Sequence, residues 1–401
     1  MKITKVEPLL VDRFCLVRVE TDKGITGIGE SGAAVPRPAS AAAINQFGDY
    51  LVGRDPRMIE HHWNVMQRSN HFSGAAINGA VSAIDIALWD IKAKSYGVPV
   101  YELLGGRVRH KARLYGHMKG GTVGKMVDEA LRLKAAGFTA LGALNPLLNQ
   151  DVDSTGAPVK DAMLRAGSLA PYFRTHASKI GEAVDTVRQI REAVGPEVDL
   201  CIEIHRRLTP PEAIALARGI EQYTPMFIED PIPPNSADSM AWVADHIPIP
   251  VATGERFYTL HQFQALLTRR GAAYLRPDVC LCGGITGTKK VAALAEAHDV
   301  QIVPHNPLSP VSTAACLQIA ACIPNFAIQE YPSRTPGIHG TAGLMGADLV
   351  TGLSEQHDGF ISIPDAPGIG VELVPDIEDR FPYKPRALGM RPHVDGSFID
   401  Y

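Results

Sequence analysis

The stretches DLCIE (199–203), PMFIE (225–229) and IPVATGE (249–255) each run from apolar residues into a glutamate. Those glutamates, Glu203, Glu229 and Glu255, are equally spaced along the chain. The series continues at similar steps with Asp278 in LRPD, His305 in IVPH and Glu330 in AIQE. Intervals of roughly 25 residues accommodate one strand and one crossover helix. Parallel strands joined in that way present their C-terminal ends on one rim, so six polar or charged residues at successive strand ends converge on one place.

Outward from this core, eight short apolar runs follow one another from Arg113 onward: RLYGHM, ALGAL, DLCIEI, PMFIED, PVATGE, YLRPDV, QIVPHN and FAIQEY. Helical patterns fill most gaps. In TVGKMVDEALRLKAAG, Val123, Val127, Ala130 and Leu131 are expected on one face, and TGTKKVAALAEAHD is a second helix. No ordinary closing helix follows the eighth run. The expected class is α/β, a modified TIM barrel of the (β/α)7β kind spanning residues 112–365. Residues 1–111 read as an α+β capping domain. ITKVEPLLVD, CLVRVETD and GITGIGES form a meander with DKG as the last turn. The GxG of GITGIGES lacks the third glycine and following helix of a dinucleotide site, so turn glycines are expected there. In the helix AVSAIDIALWDIKAKSYG, Val81, Ile84, Leu88 and Ile91 share a face, and Gly97 with Pro99 ends it. Residues 366–401, Gly/Pro-rich and closing with RPHVDGSFIDY, are expected to pack back on the capping domain.

Composition narrows the class. The 401 residues carry a net charge of −4, with 45% hydrophobic and 20% charged residues. That is ordinary for a soluble globular protein and gives no basic surface for nucleic acid. The N-terminus MKITKVEPLLVDRF lacks the apolar stretch of a signal peptide, and no segment is long enough to span a bilayer. The six cysteines lie mostly in apolar runs, and the CLC pair has the wrong gap for a zinc knuckle. Reduced, buried thiols in a cytoplasmic protein are expected. One gap is unusually long. Residues 145–178 separate ALGAL from the next helix, either as a lid or substrate-contacting loop, or as a surface excursion or oligomer contact.

Three neighbouring carboxylates repel one another unless a cation sits between them. An all-oxygen set suits Mg²⁺, whereas histidine or thiolate ligands would point to zinc or iron. The plainer possibility for any one glutamate is a structural ion pair. His205 stands two residues after Glu203, so strand alternation puts both side chains on one face. His305 and Asp278 end adjacent strands. A carboxylate bonded to the imidazole would fix its tautomer and raise its basicity, as a general base requires. These parts suit proton abstraction beside a carboxylate, with two outcomes: reprotonation at carbon, or protonation of a departing β-hydroxyl.

The order of elements, the segment AVSAIDIALWDIKAKSYGVPVYELLGG (80–106) and the run IED…TGER…RPD…CGGIT…PHNPLSP…QEY resemble the enolase superfamily, mandelate racemase subgroup. Within it, EIH at 203–205, the pair Asp278 and His305, and Gln329–Glu330 are most similar to acid-sugar dehydratases of the galactonate dehydratase type. Mannonate and gluconate dehydratases are relatives. The resemblance implies that Glu203, Glu229 and Glu255 bind Mg²⁺ and that His305, paired with Asp278, removes the C2 proton. It further implies that His205 protonates the hydroxyl leaving C3, that Glu330 hydrogen-bonds the enediolate or substrate carboxylate, and that the product is a 2-keto-3-deoxy acid. A small-molecule sugar acid as substrate and a homo-oligomer are implied as well. Two departures stand out. The family's first metal ligand is usually aspartate where this chain has Glu203. The subgroup's racemases carry lysine at the end of the second strand, where Gly142 to Asn145 offer none, which favours dehydration over epimerisation or racemisation. A low-activity barrel that binds metal and sugar acid is the third possibility. In the long loop, Tyr172 and Arg174 are candidates for further substrate contacts.

Overall fold

The N-terminal sheet follows from period-two alternation. β1 (Ile3–Val11), β2 (Phe14–Thr21) and β3 (Thr26–Glu30) form an antiparallel meander in that order. Both faces of β2 are covered. Cys15, Val17 and Val19 enter the core made with the helices α1 (Arg37–Leu51), α2 (Ile59–Arg68) and α3 (Ala75–Tyr96), while Phe14 and Leu16 join the barrel core. The molecule is a computed structural model that describes residues 1–33, 36–69, 71–147, 175–334, 343–353, 355–385 and 397.

Of the glycines in the hairpin and strand around GITGIGES, only Gly24 lies in the turn, with φ of 70°. Gly27 and Gly29 correct the turn expectation: they sit inside β3, where α3 approaches too closely for a side chain. A Cβ on Gly27 would lie 2.1 Å from the Ala87 carbonyl oxygen, and one on Gly29 would lie 2.0 Å from that of Ala83. Val81, Ile84, Leu88 and Ile91 are fully buried, but so are Ala80, Ala83, Ile86 and Ala87, because α3 is packed on both sides. Gly97 terminates the helix in the left-handed conformation, as a C-terminal glycine does, and the short helix α4 (Val100–Leu103) follows.

The eight apolar runs form the barrel. β4 (Lys111–His117), β5 (Ala140–Leu144), β6 (Asp199–Glu203), β7 (Phe227–Glu229), β8 (Val251–Thr253), β9 (Tyr274–Leu275), β10 (Gln301–Ile302) and β11 (Gln329–Tyr331) pair in parallel, in the order β10-β9-β8-β7-β6-β5-β4-β11. The sheet closes where the Ile302 N–H donates to the Asn325 carbonyl at 2.8 Å and the Ala327 N–H to the Ile302 carbonyl at 2.9 Å. Inside lie Tyr115, Ala140, Cys201, Phe227, Ala252, Val303 and Ile328, large rings against small residues, as a packed barrel interior requires. The helices α5 (Val123–Ala135), α6 (His176–Val194), α7 (Pro210–Ile220), α8 (Ala237–His246), α9 (Leu260–Thr268), α10 (Gly284–Glu296) and α11 (Pro310–Cys322) cover the outside. In α5 the inward face is Met126, Ala130 and Leu133, whereas Leu131 is 44% exposed. The buried face is rotated from the one expected, because Met126 and Leu133 complete the apolar stripe.

Among the described residues no α-helix lies between β11 and the strand Phe360–Ser362, which pairs antiparallel with β4, so the barrel is of the (β/α)7β kind. The chain then returns to the N-terminal unit. The Asp12 N–H donates to the Phe381 carbonyl at 2.9 Å, and the Lys384 N–H to the Asp12 carbonyl at 2.6 Å. Of the closing segment RPHVDGSFIDY, only Ser397 lies within the described residues. All six cysteines are free and buried, and no described helix is long and apolar enough to cross a membrane.

A Gly29→Ala substitution forces β3 from α3 and is expected to cost about 3 kcal/mol through overpacking. The urea midpoint should fall with the m-value unchanged.

Candidate active site

The parallel register sets the carboxylates side by side. Glu203 and Glu229 are the last residues of β6 and β7 and pair directly. Glu255 lies two residues beyond β8. Gly254 precedes it at φ 127° and redirects the chain so that Glu255 meets its neighbours. A positive φ of that kind favours glycine, which has no Cβ to clash. Three non-glycine residues on the same rim also have positive φ: His205 at 56°, Arg206 at 68° and Asp230 at 40°. Such strain gathers where a site over-determines its backbone.

His205 reaches Glu203 by a route the sequence did not suggest. Strand β6 ends at Glu203, so alternation does not carry on to His205; the left-handed turn brings it back instead. Its Nε2 stands 3.8 Å from Glu203 Oε1 and 2.8 Å from Nη2 of Arg206. Asp278 and His305 are adjacent across the ends of β9 and β10, with Asp278 Oδ2 2.8 Å from His305 Nδ1. The Cys280 N–H donates to the other Asp278 oxygen at 2.8 Å. His305 Nε2 lies 3.4 Å from Glu255 Oε2. With Nδ1 committed to Asp278, Nε2 is the nitrogen left to exchange a proton. Burial pulls His305 down, but Glu255, Glu330 and Asp278 outweigh it and raise the imidazole to about 9.

Glu330 is held at both oxygens. Oε1 is 2.7 Å from His117 Nε2, while Oε2 accepts from Arg276 Nη2 at 2.6 Å and the Asn306 N–H at 2.8 Å. Burial would raise its pKa, but Arg276, His305 and His117 overcome that and hold it well below the usual range, so it is a carboxylate that accepts only. Arg276, 1% exposed, also donates to the Tyr115 hydroxyl at 2.6 Å and lies with Nε 2.7 Å from Glu229 Oε1. That last contact is ionic without hydrogen-bond alignment. Arg206 pairs with Asp230 at 2.9 Å and Glu255 at 2.5 Å. Thr253 Oγ1 donates to Asp230 at 2.5 Å.

Arg206, Arg276, His117 and Tyr115 were not singled out from the sequence. The signals were present: His117 ends a barrel strand, Arg276 stands two residues before Asp278, and Arg206 follows EIH directly. Gly142, on the strand without a lysine, faces the Tyr115 ring; a Cβ there would lie 2.2 Å from it. Tyr172 and Arg174 lie outside the described residues.

The triad is rich in negative charge. Burial, reinforced by Glu255 and Glu330, pushes Glu203 up to about 7. Burial raises Glu229 well above the carboxylate range despite Arg276. Burial also pushes Glu255 up, yet His305 and Arg206 bring it below its ordinary value. As they stand, no three Asp, Glu, His or Cys side chains among the described residues are gathered tightly enough to hold an ion. Arginines engage two of the three glutamates instead. The donor chemistry nonetheless fits a hard divalent cation: the set is all carboxylate, and Glu229 Oε1 is a buried oxygen without a hydrogen-bond partner.

Two family models match the chain: the mandelate racemase / muconate lactonizing enzyme N-terminal domain over residues 5–105, and the enolase C-terminal domain-like family over residues 125–377. D-galactonate dehydratase of Variovorax paradoxus is 36% identical, covering 93% of this chain and 92% of that protein. D-galactonate dehydratase of Xanthomonas oryzae is 35% identical over 100% of both. Among solved structures, an enolase of Agrobacterium radiobacter with Na and L-malate bound has a TM-score of 0.87 at 29% identity, covering 100% of each chain. A member of the enolase superfamily from Salmonella typhimurium has a TM-score of 0.82 at 30% identity, covering 95% of this chain and 98% of that one. The chain belongs to the enolase superfamily, in its mandelate racemase and muconate lactonizing enzyme branch, and it is a carbon–oxygen lyase of the hydro-lyase class.

Arg276→Met would leave Glu229 and Glu330 buried without their shared cation. We expect a loss of about 3–5 kcal/mol in urea unfolding, larger at pH 8 than at pH 5, because protonation relieves the uncompensated charge.

Proposed function

We propose that the protein dehydrates a sugar acid, an aldonate of the galactonate, gluconate or mannonate kind, to a 2-keto-3-deoxy acid. The observation that carries this is the Asp278–His305 pair at 2.8 Å beside Glu255, with His205 beside Glu203 on the same rim. Identity to D-galactonate dehydratases across nearly the whole chain supports the substrate class.

In its neutral form His305 takes the proton from C2 at Nε2, and Asp278 holds the resulting imidazolium. The C2–H electron pair becomes the C2–C3 double bond of an enol, and the C3 hydroxyl departs as water with a proton from His205. The enol then tautomerises to the ketone. Glu330, as an acceptor, acts through the donors it anchors, His117, Arg276 and the Asn306 N–H, which keep that wall of the site polar and ordered. Glu203, Glu229 and Glu255 would hold Mg²⁺, which when bound supplies positive charge to the substrate carboxylate and so acidifies the neighbouring C–H. The absence of a lysine from Gly142 to Asn145 leaves His305 as the base on this rim and supports elimination over epimerisation. Buried free thiols support a cytoplasmic setting, and membership of the superfamily supports a homo-oligomer.

Incubation of the protein and Mg²⁺ with a panel of aldonic and aldaric acids should yield at least one semicarbazone-forming keto product; none from any member would defeat the proposal. With the acid that turns over, His305→Asn should lower dehydration by about 10²–10⁴-fold. His205→Asn should lose dehydration while still exchanging the C2 proton with deuterium. C2 exchange with inversion and no loss of water by the wild type would establish an epimerase instead.

Metal affinity should depend on pH with a definite sign. Glu203 is protonated below about 7 and must ionise to ligate. Glu229 lies higher still and must ionise as well, so calorimetric titration with Mg²⁺ should show affinity that keeps tightening as pH rises from 5.5 through 8; a flat profile would defeat ligation by these two glutamates.

A further inference from the structure

The two helices that follow the dyad's strands begin against carboxylates of the N-terminal unit. Asp278 precedes α10 and His305 precedes α11. Asp85, on α3, accepts from the Thr286 N–H at 2.9 Å, in the first turn of α10. Glu30, the last residue of β3, accepts from three donors around Ser309, the residue that caps α11. The Ser309 N–H lies 3.2 and 3.3 Å from its two oxygens, the Ser309 hydroxyl donates at 2.5 Å, and the Ser312 N–H donates at 3.2 Å. First-turn amides have no partner within their own helix, and a carboxylate is favoured there. Glu30, Ser309 and Ser312 are all fully buried.

The contact extends to the dyad. The Gly32 N–H donates to the Cys280 carbonyl at 2.7 Å, and the Cys280 N–H in turn holds Asp278. A Cβ on Gly32 would lie 2.9 Å from Asp278 Oδ1, so the strand end packs directly on that carboxylate. On the other side, the segment from His305 to Ser309 is pinned at both ends. The Asn306 N–H is bonded to Glu330, the Asn306 side chain donates to Thr313 Oγ1 at 2.8 Å, and Ser309 is bonded to Glu30. His305 is thus fixed by a short span whose far anchor belongs to the N-terminal unit.

We propose that Glu30 is a positioning residue for the reaction: by clamping Ser309 and Ser312 it holds the His305 segment so that the imidazole stays on Asp278. The inference rests on the assignment of His305 as base. A purely packing role for Glu30 predicts lost stability with an unaltered dyad. A positioning role predicts that chemistry suffers while substrate binding does not.

The test compares wild type with Glu30→Gln, which keeps an acceptor oxygen, and Glu30→Ala, which removes it. With the sugar acid selected from the panel, Glu30→Ala should lower kcat by about 10–100-fold with KM nearly constant, and Glu30→Gln should recover most of that loss. Proton NMR provides a readout without turnover. The low-field Nδ1 proton shared by His305 and Asp278, assigned by its loss in Asp278→Ala, should vanish or broaden in Glu30→Ala and persist in Glu30→Gln. Wild-type kcat, or an unchanged low-field resonance, in folded Glu30→Ala overturns the proposal. If Glu30→Ala does not fold, Ser309→Ala removes one donor to Glu30 and should show a smaller loss of kcat in the same direction; unchanged kcat there overturns it too. Dehydration that survives in His305→Asn would defeat the base assignment instead, and the NMR comparison would then decide on Glu30 alone.

Discussion

Arg276 lies in the barrel with Glu229 on one side of its guanidinium, Glu330 on another and the Tyr115 hydroxyl on a third. Arg206 does the same for Asp230 and Glu255 at the rim. Six carboxylates crowd these strand ends: Glu203, Glu229, Asp230, Glu255, Asp278 and Glu330. Buried anions at that density are tolerated only with matched positive charge. The two arginines and the histidines supply part of it, while burial, reinforced by Glu255 and Glu330, still raises Glu203. The same imbalance underlies the proposal that a cation and an anionic substrate meet at this rim.

Charge alone does not aim the chemistry. The dyad is aimed by ordinary hydrogen bonds that start in the N-terminal unit. Gly27 and Gly29 let β3 lie on α3, and its last residue, Glu30, then reaches the helix after His305. The N-terminal unit is therefore more than a cover on the barrel. It is joined to the barrel at Asp278, at α10 and at α11, the part of the rim where the proton would be taken.

Much of this was legible because strand spacing is a strong signal. A repeated strand-plus-helix interval announces a parallel barrel, and residues at strand ends must share its rim. Asp278 and His305 met as their positions on adjacent strands required. His205 reached Glu203 for a different reason: the strand had already ended, and a left-handed turn returned the imidazole. Arg206 and Arg276 are not legible in the sequence because an arginine beside an acidic motif reads as a surface charge until the packing around it is known. Nothing local to Gly27 and Gly29 reveals that a helix from much later in the chain presses on their strand, so the sequence alone points to a turn. The rotated face of α5 shows the same limit, since one residue's shift in an apolar stripe is decided by what it packs against.

The sequence by itself determined the periodicity, the barrel and the identity of the residues at the rim, because covalent spacing and backbone geometry fix which side chains end successive strands. Only the tertiary structure decided which charges compensate which. Arg276 with Glu229 and Glu330, Arg206 with Glu255, and Glu30 with Ser309 are pairs between separate elements. Their energies depend on burial and on distances of a few ångströms between segments that are far apart along the chain, and neither quantity exists before the chain has folded.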